Sequence, residues 1–143
     1  MQNVGINLKM NRQFLSILLS LLTLTSCSQD FSVRKLVESN PHFPEDEYTF
    51  PILEGPDRTV TKKINSYLVD DQLSIKLGQE RTSIFENVWQ KPDVPVSRIN
   101  YLTFKVNLLN KKLYTVTISG EFCSAYCEGY DMSYTFELAT GDL

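Results

Sequence analysis

The sequence has little of what most chemistry needs. Its one histidine, His42, sits between Pro41 and Pro44, so no Ser-His-Asp arrangement can be built around it, and it reads as an exposed residue. There is no glycine-rich phosphate loop. Neighbouring carboxylates such as Asp70 and Asp71 are poorly placed to aim at one reacting atom. No apolar run approaches the roughly 20 residues that a membrane-spanning helix requires. Basic residues are outnumbered, 14 Lys and Arg against 17 Asp and Glu. That balance argues against a nucleic-acid partner, which would want a basic patch. No catalytic, cofactor-binding or metal-ligating residue follows from this inventory.

What the chain does have is alternation. Over residues 99–138, Leu102, Phe104, Val106 and Leu108, then Tyr114, Val116, Ile118 and Phe122, then Tyr130, Met132, Tyr134, Phe136 and Leu138 all fall on even numbers. Polar residues take most of the odd ones. Period two gives a strand one apolar and one polar face, the habit of antiparallel sheets. Burying those large side chains would contribute about 20–40 kcal/mol before entropy is subtracted. Keeping the even residues on one face sets the hairpins. Leu109 should pair with Leu113, and Phe122 with Tyr130, which sets Gly120 against Met132.

The covering element must come earlier. Residues 58 to about 70 carry Val60, Ile64, Tyr67 and Leu68 on one helical face, with Asp57 as N-cap; Asp70-Asp71 is a plausible bend. Tyr48, Phe50 and Ile52 alternate in a strand that Pro51 makes an edge or an interrupted one. Residues 81–96 are the least regular. Trp89, the single tryptophan, is either core or a binding-surface aromatic.

The first 26 residues contain Lys9, Arg12 and no acid, then an apolar run over residues 14–24. This describes a secretory signal. It closes on Leu24-Thr25-Ser26-Cys27, which resembles a bacterial lipobox. The resemblance implies cleavage before Cys27 and its lipidation; the alternative is an ordinary signal with a chance cysteine. In a Gram-negative cell, the absence of an acid directly after Cys27 points to the outer membrane, facing the periplasm. All 17 acids and 12 of the basic residues lie beyond residue 26. Three segments follow: 1–26 as lipoprotein signal peptide, 27–45 as a lipidated, solvated tether, and 46–143 as an α+β envelope domain.

Cys123 and Cys127 lie close together in the second sheet connection. Outside the cytoplasm such a pair suggests a disulfide that fixes the turn, with free thiols or a metal site as alternatives. Glu121, Glu128 and Asp131 surround the same turn and could draw a cation, although a solvated turn is the simpler reading.

The order of Tyr48-Thr49-Phe50-Pro51, then Lys62-Lys63-Ile64-Asn65, then a meander ending Tyr134-Thr135-Phe136-Glu137-Leu138-Ala139-Thr140-Gly141 resembles an extracellular domain that precedes the catalytic part of secreted peptidoglycan deacetylases. It is similar too to the outer domain of lysozyme-sensing anti-sigma factors. The resemblance covers about residues 46–143. Members of that family continue past the Thr-Gly turn, so it implies either a shortened version here or a C-terminally truncated reading frame. It also implies a cell-wall glycan or a lysozyme-like protein as partner.

The expected fold is therefore α+β: an antiparallel β-meander of three to four strands with one main helix on its apolar face. The expected function is a non-enzymatic, membrane-anchored binding module. Tyr101, Lys105, Thr115, Thr117 and Glu121 form its candidate binding face, and Cys27 is the lipid attachment site. Two alternatives are an accessory or degenerate domain of a glycan-modifying, deacetylase-like enzyme, and a structural remnant without a ligand.

Overall fold

Alternation does produce the strands expected at the C-terminal end, but they form part of a larger sheet. The computed structural model describes residues 30–41, 44, 47–89, 98–123 and 125–143. Its elements are β1 (Ser32–Ser39), β2 (Glu47–Glu54), α1 (Arg58–Leu73), β3 (Arg98–Leu109), β4 (Leu113–Cys123) and β5 (Cys127–Glu137). The sheet order is β1-β2-β3-β4-β5. β1–β2, β3–β4 and β4–β5 are antiparallel; β2 and β3 are parallel, meeting at Tyr48 and Leu102.

This corrects the expected three- to four-stranded antiparallel meander: the sheet is mixed and has five strands. Two physical reasons account for the difference. β1 lies in the stretch read as tether, and as an edge strand it buries little, with only Val33, Leu36 and Glu38 half-buried. Its polar sequence therefore gives no alternation to read. The parallel pair follows from α1, because parallel neighbours need a crossover rather than a tight turn.

Register explains which side chains reach the core. Phe104 faces Ile118, Val106 faces Val116, and Val116 in turn faces Tyr134, all on one side of the sheet. Val116, Ile118, Tyr114 and Phe136 are fully or almost fully buried there. Two irregularities in β3 change the face of its ends. The register shifts between Ile99 and Tyr101 and again between Val106 and Leu108. An extra residue reverses the alternation. Leu108 thus turns outward opposite Thr115 and is 41% exposed, while Ile99 and Leu109 join the core. The expected Leu109–Leu113 pair is replaced by Leu109–Tyr114.

The second hairpin keeps its parity but slides by two residues. Gly120 faces Tyr130 rather than Met132, and Cys123 faces Cys127. A Cβ on Gly120 would lie 2.6 Å from Tyr130 Cζ, so the missing side chain makes room for a tyrosine ring.

α1 starts where expected. Asp57 accepts hydrogen bonds from the Thr59 and Val60 amides at 2.9 and 3.1 Å. The helix runs through Asp70-Asp71 to Leu73 and ends on Ser74 in the left-handed region. Fully buried Val69 and Leu73 hold that last turn against its weak propensity. Behind α1, Phe85 stacks on Tyr48 at 5.6 Å and meets Phe50 edge-on at 6.4 Å, closing the core over β2.

β2 explains its proline. Asn65 on α1 accepts a hydrogen bond from the Leu53 amide and donates one to the Leu53 carbonyl, both at 2.9 Å. These Leu53 groups point away from β1, and by the strand's alternation so does the nitrogen of Pro51. The proline therefore costs β1–β2 no ladder bond, and a side-chain amide supplies the pairing that β3 does not. β2 is an interior strand, interrupted on its β3 side. Asn65→Ala would leave two buried backbone groups unpaired and is expected to cost about 3 kcal/mol, read as a lower urea midpoint.

Tyr114 is the opposite case. Its ring is buried and its hydroxyl has no partner among the described residues. Tyr114→Phe is expected to hold or raise the melting temperature, since it removes an unsatisfied hydroxyl. Burial also holds the Tyr114 proton well above its ordinary value of 10.0. The folded state keeps a proton that the unfolded chain loses, so this contribution is intact below about pH 10 and is lost as pH rises beyond it. The phenylalanine variant should show a shallower alkaline loss of stability.

Candidate functional site: the open face of the sheet

The face away from α1 is built by the odd residues of β3, β4 and β5. Cross-strand pairing sets Tyr101 opposite Glu121, Lys105 opposite Thr117, and Thr115 opposite Thr135. The candidate residues Tyr101, Lys105, Thr115, Thr117 and Glu121 therefore share one surface. Tyr101 and Lys105 are exposed, and Thr115, Thr117 and Glu121 are half-buried. Thr103, Ser119, Asp131, Ser133 and Thr135 belong to the same surface by register.

The hydroxyls there are organised in pairs. Thr115 and Thr135 lie 3.1 Å apart, and Thr117 and Ser133 lie 2.7 Å apart. Asn107 donates to the Thr117 hydroxyl at 2.7 Å, and Ser119 donates to Asp131 at 2.5 Å. Each hydroxyl can donate once and accept twice, so paired hydroxyls keep acceptor capacity towards solvent. Among the described residues the surface is hydroxylated and also carries the Tyr101 ring, the Lys105 ammonium, exposed Leu108 and the Glu121 and Asp131 carboxylates.

At its end, Cys123 and Cys127 form a disulfide with Cα atoms 4.0 Å apart. Glu121 lies close to both sulfurs, but bonded cysteines are not thiolate ligands. Asn100, at the irregular start of β3, donates to Glu121 at 3.0 Å. The acidic trio divides: Glu121 and Asp131 share the open face, whereas Glu128 pairs with Phe122 and faces the other way. Cys27 and His42 lie outside the described residues. Trp89 is half-buried against the core.

A separate polar group ties α1 to β5. The Tyr134 hydroxyl donates to Asp71 at 2.6 Å and accepts from Gln72. Burial first, and the Asp71 carboxylate next, hold the Tyr134 proton above its ordinary range. Tyr67 packs edge-on against Tyr134 and Phe136 at 6.1 and 5.8 Å. This arrangement fastens the helix end to the sheet. Sequence reasoning missed it, and missed Asn65. The available signal was the column Thr61, Asn65, Val69 and Leu73 at i+4 spacing, which widens the apolar stripe.

No family model matches the chain, and no curated protein does. Among solved structures, a member of the DUF3298 family from Bacteroides fragilis is similar, with a TM-score of 0.43 and 11% identity. The match covers 77% of this chain and 55% of that one.

Proposed function

We propose that the chain is a membrane-anchored cell-envelope lipoprotein whose open sheet face binds a cell-wall glycan, without catalysing a reaction. The observation that carries this reading is the surface itself: ordered hydroxyl pairs beside exposed Tyr101 and Lys105. A sugar ring offers an apolar face for an aromatic to cover and a rim of hydroxyls for polar groups to meet. An open sheet face lets an extended polymer lie across several strands. The Cys123–Cys127 disulfide fits an oxidising compartment. Among the described residues no helix is long and apolar enough to cross a membrane. The proposed attachment is through the lipobox-like segment ending at Cys27.

Co-sedimentation with purified peptidoglycan sacculi tests this. The full chain in detergent is expected to pellet with the sacculi. Tyr101→Ala and Lys105→Ala together should weaken that binding about tenfold while leaving the melting curve unchanged, because both side chains are exposed. Equal pelleting of wild type and variant would remove the face from the account.

A further inference from the structure

We infer that the end of the sheet at which β1 begins and β3 ends is a docking surface for an anionic lipid bilayer, and that the domain stands on it. This deepens the proposed function and rests on lipidation at Cys27. Three residues, 28–30, separate Cys27 from Phe31. At about 3.3–3.6 Å per residue, the link reaches about 14 Å when fully extended. A lipidated cysteine sits at the headgroup level, so Phe31 cannot lie far above it.

The strands decide what else lies at that level. Ser32 pairs with Glu54, and β2 runs parallel to β3, so the start of β1, the end of β2 and the turn after β3 share one end. There Asp30, Phe31, Leu109, Asn110 and Lys111 line a cleft of about 280 Å³. Phe31 packs directly on Gly55, where a Cβ would lie 2.3 Å from its ring, and sits half-buried at the margin of the core. Asn110 accepts from the Lys112 and Leu113 amides, both at 2.8 Å, and this turn presents exposed Lys111 and Lys112. Neither ammonium has an ion-pair partner among the described residues, whereas Arg34 and Lys63 at the same end are neutralised by Glu54 and Asp142.

The two ends differ in charge, although the lysine end also carries Asp30 in the same cleft and Glu137 opposite Leu113. The opposite end, reached after the 11 residues of β4, or about 35 Å, carries Glu38, Glu47 and Glu128. Two free lysines beside a half-buried aromatic and Leu109 meet phosphate headgroups with ammonium and apolar contact together. The acidic end and the disulfide are turned away from the membrane.

The test uses the full-chain lipoprotein in vesicles of phosphatidylglycerol and phosphatidylethanolamine, pulse-labelled with an amine-acylating reagent and resolved by site. Lys111 and Lys112 are expected to label about fivefold more slowly than in detergent, while Lys76, beyond the far end of α1, is unchanged. High salt, or vesicles of neutral lipid, should abolish the difference. A protein that carries acyl chains and stays on the vesicles, yet labels equally at Lys111, Lys112 and Lys76, overturns the docking surface and leaves the anchor standing. Equal protection on neutral vesicles overturns the anionic partner. A protein without acyl chains overturns the lipoprotein reading, and this inference with it.

Discussion

Ile118→Asp is expected to leave the domain unfolded. Ile118 is fully buried and paired with Phe104 on one side and Met132 on the other, in the middle of the central strand of the C-terminal hairpins. A carboxylate there would lie between apolar Phe104 and Met132, and the sheet cannot turn it outward without reversing every neighbour on β4. Burying an unpaired charge or displacing the core costs more than about 4 kcal/mol, comparable to the total stability of a small domain. Far-UV circular dichroism and a thermal melt would show the loss. Phe104→Asp should do less, because Phe104 is only half-buried. A cooperative, unshifted melt for Ile118→Asp would mean that the core is misplaced.

Cys27→Ala is expected to move the protein from the membrane fraction to the soluble one. A thiol and a new amino end that carry several acyl chains hold a protein stably, whereas a single chain gives only reversible binding. The variant should take up no labelled fatty acid. Its melting curve should match the wild type, because the ordered sheet begins at Ser32. Equal labelling of wild type and variant would remove the anchor.

Period two was readable because Tyr114, Val116 and Ile118 on β4 and Tyr134 and Phe136 on β5 are buried between less buried neighbours, although Phe122 and Met132 at the far end of the same face are exposed. The faces of Ile99 and Leu108 were not, because a bulge adds one residue without any change in composition. β1 stayed hidden because an edge strand can be polar on both faces. Strand direction between β2 and β3 leaves no local mark; it depends on where α1 returns the chain. Of the candidate site, the shared face of Tyr101, Lys105, Thr115, Thr117 and Glu121 followed from parity alone. The hydroxyl pairings did not, because they required the register of β5, which slid by two residues to bring Cys123 opposite Cys127. Asn65 was overlooked because a polar residue on a helix is assigned to solvent unless the backbone it satisfies is known.

The most direct test of the binding face is site-specific photo-crosslinking in growing cells. A crosslinker replacing Lys105, on the open face, should yield adducts that a muramidase digest resolves into cell-wall fragments. The same group replacing Lys62, on the outer side of α1, should yield none. Adducts from Lys62 alone, or from neither position, would contradict the assignment of the open sheet face as the surface that holds the cell wall.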